Sequence, residues 1–140
     1  MLKNIPACLS PELVAVLMRM GHGDEIVLGD ANFPGDTCND LVLRADGLDI
    51  PQLLDAILTL MPLDRYNDWQ IGLMATIEGD PTPEVWATYE QVIRDHEGDY
   101  VTHYFERFDF YDQAKQTFAV VVTGETALYG NIILKKGVVV

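Results

Sequence analysis

A chain of 140 residues with 22 acidic and nine basic side chains carries a net charge of −13, and so lacks the clustered Lys and Arg that nucleic-acid phosphates require. Its 49% hydrophobic and 22% charged residues are those of a globular domain, which argues against disorder and coiled coil. The length suits a single domain over residues 1–140, and the charge suits a neutral or cationic small ligand.

The first residues carry Lys3 but no uninterrupted apolar run before Pro6, so no signal peptide is expected, and no later stretch reaches the length of a membrane span. Cys8 and Cys38 have neither a CxxC neighbour nor a His at metal spacing, which fits two incidental thiols and a cytoplasmic protein. Ser10-Pro11-Glu12 predicts a helix start, with Ser as N-cap, Pro in the first turn and an acid near the positive end of the dipole. Leu13, Leu17 and Met20 then form one apolar face up to a stop at Gly21. Glu25 to Leu28 predicts a buried strand ending at Gly29-Asp30, residues 31–40 a polar loop, and Leu41 to Leu43 a second strand.

Pro51 opens a helix whose Leu53, Leu54, Ile57 and Leu60 share a face until Pro62 ends it. After a bridge over residues 63–69, the apolar run Ile71 to Ile77 predicts a third strand, covered on both faces. Thr82-Pro83-Glu84 repeats the helix-start signal of Ser10, and that helix breaks near Gly98. Tyr100 to Tyr104 predicts a strand, Phe108 to Phe118 a helix, and Ala119 to Val122 and Ile132 to Leu134 two buried strands separated by a turn at Thr123-Gly124-Glu125. Alternating helices and strands give an α/β class with helices on both faces of a central sheet.

His22 lies bare between Gly21 and Gly23 and can exchange protons near neutral pH. From spacing alone, a histidine resting on the negative end of the helix dipole accounts for it slightly better. Asp30 sits at a strand exit, where open α/β sheets gather ligand contacts, and could orient His22 or bind a hydroxyl; an ordinary loop aspartate is the alternative. Glu78 and Asp80 flank Gly79 at another exit, as a carboxylate pair or as turn formers. Arg107 lies among aromatics and could donate to sugar or carboxylate oxygens, or pair with an acid. Tyr129-Gly130-Asn131 offers a phenol and an amide beside a turn. His96 and His103 lack metal spacing and read as structural, and no Walker, GxGxxG, GxSxG or HExxH motif occurs.

Taken together, Met20-Gly21-His22-Gly23-Asp24-Glu25-Ile26, Asp30-Ala31-Asn32-Phe33-Pro34, Glu78-Gly79-Asp80, Arg107-Phe108-Asp109-Phe110-Tyr111 and Tyr129-Gly130-Asn131-Ile132-Ile133-Leu134 resemble the RbsD/FucU family of sugar mutarotases, in order and over nearly the whole chain. The Arg107 segment and the C-terminal block are closer to the branch acting on L-fucose than to the D-ribose pyranases. The resemblance implies an RbsD-like three-layer α/β/α fold with a mixed sheet and a cytoplasmic isomerase needing no cofactor or metal. It also implies a ring-shaped homo-oligomer, typically a decamer, with the site between subunits. His22 would match the catalytic histidine, Tyr129 would be its acid/base partner, and Asp30, Arg107, Gly130 and Asn131 would join Tyr129 in holding the sugar.

Overall fold

Short runs, each five residues or fewer and most of them rich in apolar residues, form the six strands of the computed structural model, which describes all 140 residues. In chain order the elements are α1 (Pro11–Arg19), β1 (Glu25–Gly29), α2 (Gly35–Cys38), β2 (Val42–Ala45), α3 (Ile50–Leu60), β3 (Ile71–Met74), α4 (Glu84–Glu97), β4 (Thr102–Phe105), α5 (Arg107–Gln116), β5 (Ala119–Thr123) and β6 (Ile132–Lys135). They form one mixed sheet in the order β2-β5-β1-β6-β3-β4. β2, β5 and β1 pair in parallel, as do β3 and β4, whereas β6 runs antiparallel to both β1 and β3. Five strands therefore end at one edge of the sheet, and β6 begins there.

Alternation along the strands separates two apolar faces, because successive side chains point to opposite sides. Ile26, Leu28, Ile71, Leu73, Val121, Ile132 and Leu134 pack with Leu13, Leu17, Leu53, Leu54, Ile57, Tyr89 and Ile93 of α1, α3 and α4. Val27, Val120, Val122, Ile133 and Met74 pack with Cys38 of α2, Phe110 and Ala114 of α5, and Phe33. This is the expected three-layer α/β/α arrangement.

Local signals explain most boundaries. Ser10 caps α1 by accepting the Leu13 N–H at 3.1 Å, and Asp49 caps α3 by accepting that of Gln52 at 2.9 Å. Thr82 is not a cap: α4 begins at Glu84 behind Pro83, with no side-chain cap bond. Residues 31–40 are not wholly loop, because Gly35–Cys38 make one helical turn pressed onto the sheet. A Cβ on Gly35 would meet Val122 at 2.7 Å. β3 stops at Met74 instead of reaching Ile77, since its partner β6 starts only at Ile132, opposite Leu73. β4 likewise covers Thr102–Phe105, in register with Ile71 to Met74.

Candidate active site

The edge where five strands end gathers residues from segments far apart in sequence. Leu28 pairs with Ile132, so Asp30 just past β1 meets Asn131 just before β6, and the Asp30 N–H donates to the Asn131 amide oxygen at 2.7 Å. Burial pushes the Asp30 carboxyl above its ordinary value, against the opposing pull of hydrogen bonds involving Asn32 and Asn131. A half-buried carboxylate beside a buried amide is a ready acceptor for hydroxyl groups.

Tyr129 adopts φ +57°, the left-handed region that side chains other than glycine seldom occupy. Its surroundings hold it there. The Trp86 indole N–H donates to the Tyr129 carbonyl at 2.9 Å, and the Tyr89 hydroxyl donates to the Gly130 carbonyl at 2.7 Å, both from α4. Buried Glu125 accepts the N–H groups of Thr126 and Ala127 through one oxygen and that of Ile50 through the other. At Gly130 a Cβ would sit 2.9 Å from the Ala127 carbonyl oxygen, so no side chain fits. The Tyr129 phenol donates to Asp80 and lies 3.4 Å from the Ile77 N–H, which donates to it. Its pKa is raised, chiefly by the bond to Asp80.

Arg107 opens α5 at the same edge. Its guanidinium lies over the rings of Phe108 and Tyr111, 5.5 and 5.8 Å from their centroids, and the neighbouring Tyr111 is the main cause of its raised pKa. A groove of about 450 Å³, lined by Asp80, Pro83, Glu84, Leu128 and Tyr129 among others, opens beside this cluster.

His22 is elsewhere. It precedes β1 and therefore lies at the opposite edge, where β6 ends. Its Nε2 is 2.9 Å from Asp64 Oδ1, and the imidazole is 45% exposed while the Asp64 side chain is fully buried. Burial pushes the Asp64 carboxyl up, but hydrogen bonds from the Tyr66 N–H, His22 and Asn67 outweigh it and hold the group below the ordinary carboxylate value. Tyr66 meets the imidazole edge-on with centroids 5.5 Å apart. The loop is pinned by Lys136, whose ammonium caps α1 with bonds of 2.6 Å to the carbonyls of both Leu17 and Met20. Its main chain bonds to Gly23 and Asp24, and Gly23 supplies the positive φ of +84° that the turn needs.

From Glu25 to Gly29 the chain rises about 13 Å at ~3.3 Å per residue, and His22 and Tyr129 lie beyond opposite ends of that span. Asp30 therefore does not orient His22 within the chain; Asp64 does. Asp80, but not Glu78, takes part in the strand-end cluster. His96 pairs with Asp55 of α3 at 2.7 Å, and His103 stacks on Trp69. No three His, Cys, Asp or Glu side chains are grouped to hold a metal ion. Asp64 was not singled out by sequence, since one aspartate among 22 acids in an aperiodic bridge carries no local signal. Tyr111 was legible only as part of the Arg107 motif.

A profile described as the RbsD / FucU transport protein family matches residues 3–139. The fucose mutarotase of Homo sapiens is 52% identical over 145 residues, covering 98% of this chain and 94% of its own. The L-fucose mutarotase of a Haemophilus influenzae strain is 50% identical over 141 residues, covering 99% and 97%. Among solved structures, the fucose mutarotase from Streptococcus pneumoniae in complex with L-fucose superposes with a TM-score of 0.96 at 54% identity, over 99% of this chain and 100% of that one.

Proposed function

We propose that this chain, which belongs to the RbsD/FucU family, is a cofactor-independent isomerase that interconverts the α and β anomers of L-fucose. The observation that carries the reading is the convergence of Asp30, Arg107, Tyr129 and Asn131 on one strand-end edge, in a chain whose near relatives are named for fucose. Anomer exchange needs the anomeric hydroxyl to lose a proton while the ring oxygen gains one, so that the ring opens, the aldehyde carbon rotates, and the ring recloses on its other face. Two positioned proton-transfer groups suffice, each contributing about 10²–10⁴ in rate.

His22 is one of the pair and Tyr129 the other. Asp30, Arg107, Gly130 and Asn131 hold the sugar hydroxyls. Because the two proton-transfer groups lie at opposite edges of one sheet, the complete site takes Tyr129 from one copy and His22 from a second. A head-to-tail contact of that kind forms a ring where its rotation closes, which suits a homo-oligomer and, by family likeness, a decamer. Two free cysteines support a cytoplasmic location.

NMR saturation transfer between anomers, run with L-fucose and D-ribose, tests the activity. Wild type is expected to exceed spontaneous exchange with L-fucose, and His22→Ala to lose about 10²-fold or more. No acceleration with either sugar sinks the activity, and preference for D-ribose reassigns the substrate. Co-refolding His22→Ala with Tyr129→Phe tests the shared site, since random mixing leaves about a quarter of sites with both native groups when they come from different copies. Mixed assemblies as inactive as either parent would refute the two-copy site.

A further inference from the structure

Resting on that reading of Tyr129, we propose that Asp80 is the terminal proton acceptor behind the phenol, so that Tyr129 relays the sugar's proton to a carboxylate without itself becoming a lasting base. The turn Ile77-Glu78-Gly79-Asp80 brackets one atom. Its first residue offers an N–H to the Tyr129 phenol oxygen at 3.4 Å, and its last accepts the phenol proton. The Asp80 N–H donates back to the Ile77 carbonyl at 3.2 Å, and Gly79 closes the turn at φ +93°. The phenol hydrogen is thereby aimed at Asp80, leaving the oxygen's free lone pair as the face a sugar hydroxyl can approach.

Charge decides the direction of transfer. A phenol that donates to a carboxylate holds its proton more tightly than an isolated one, and phenolate is correspondingly scarce at neutral pH. The positive charge of Arg107 opposes this by lowering the Tyr129 pKa, yet the net shift is upward. A neutral phenol can still accept the anomeric proton if it gives up its own in the same event. In ring opening, the anomeric O–H proton passes to the Tyr129 oxygen, the Tyr129 proton passes to Asp80, and the electrons of the anomeric O–H bond form the aldehyde C=O. The C1–O5 pair leaves on the ring oxygen, which takes a proton from His22 of a second copy. Reclosure on the other face returns each proton to its origin. No group outside the dyads is consumed. Asp80 acts through Tyr129, so it is a positioning residue as well as the relay's end.

Asp80 is exposed at the rim of the 450 Å³ groove, so its replacement leaves the core intact and a small anion can reach its place. In the full-length assembly, Asp80→Asn is expected to lower kcat for L-fucose about 10²-fold while the L-fucose Kd stays within about twofold. Formate is expected to restore turnover to Asp80→Ala, and Asp80→Asn/Tyr129→Phe to be no slower than Tyr129→Phe alone. Three results would overturn the relay: Asp80→Asn turning over within about twofold of wild type, a loss carried by Kd with kcat intact, or additive losses in the double variant. Wild type is assayed in the same series. If it fails to accelerate exchange, the mutarotase function falls; if it succeeds and Asp80→Asn matches it, only the relay falls.

Discussion

Replacing Tyr89 with Phe removes one buried oxygen and leaves the packing unchanged. Tyr89 is 1% exposed in the middle of α4, and its hydroxyl donates to the Gly130 carbonyl at 2.7 Å. Phe keeps the ring against the same core, so the apolar burial term cancels. What remains is a lost hydrogen bond and a carbonyl stranded against an apolar edge, which costs about 1–3 kcal/mol. Unfolding entropy of about 2.1 cal/mol/K per residue gives roughly 0.3 kcal/mol/K for this chain, so each kcal/mol lowers Tm by about 3 °C and the substitution by about 3–10 °C. Burial first, then the charges of Glu125 and its acidic neighbours, push the Tyr89 phenol far above its ordinary value. The hydroxyl is a donor throughout the working pH range, and the Tm difference should be flat across it.

Calorimetry at one fixed protein concentration measures the difference, because the proposed assembly would link stability to concentration. The same variant should slow L-fucose exchange, since the Gly130 carbonyl anchors the segment that presents Tyr129 and Asn131. A Tm within about 1 °C of wild type, together with unchanged exchange, would refute the claim that the Tyr89 hydroxyl holds this segment; the Trp86 bond from the same helix would then suffice alone.

Two further predictions concern the frame of the site. Gly124→Ala places a Cβ 2.3 Å from the Asp46 carbonyl oxygen, a backbone atom that cannot step aside, and should destabilise the protein by about 1–3 kcal/mol or more in urea unfolding; a neutral result would show that the β5 exit and the Asp46 turn move freely. Asp64 is expected to make stability depend on acid. Its folded carboxyl binds a proton less readily than the unfolded one, so its contribution is complete above the unfolded pKa of about 3.9 and is lost as pH falls through the folded value. The stability advantage of wild type over Asp64→Asn should therefore shrink on going from pH 7 to pH 3, and a constant difference would sink the assignment.

The fold was legible because its signals are local. Ser10 and Pro51 mark real helix starts, and the runs at 25–28, 71–74, 119–122 and 132–134 are strands because short β-branched segments bounded by turns have few other uses. Pairing decides what sequence could not. Ala75-Thr76-Ile77 looks as apolar as Ile71 to Met74, yet it extends past the start of β6 and leaves the sheet. One helical turn at Gly35–Cys38 is too short to show a period, and its place is set by the missing Cβ of Gly35 against Val122. The site divides in the same way. Asp30, Arg107 and Tyr129-Gly130-Asn131 are picked out by family resemblance alone, and the structure sets them at the same strand-end edge. Asp64 became visible only through its burial and its hydrogen bonds with Tyr66, His22 and Asn67.

Each half of the proposed site is rigid before it meets the other. Lys136 ties the end of α1 to the His22 turn and Asp64 fixes one ring nitrogen, while Trp86, Tyr89 and Glu125 hold the backbone that presents Tyr129. On the two-copy site proposed above, preformed halves can join as nearly rigid bodies, so completing the site costs association entropy but little ordering of loops. That division also explains why strain is tolerated at Tyr129. A left-handed tyrosine costs about 1–3 kcal/mol, and hydrogen bonds to its own carbonyl, to the next carbonyl and to its phenol over-determine the conformation. The strain at Tyr129 is met by contacts made within its own chain.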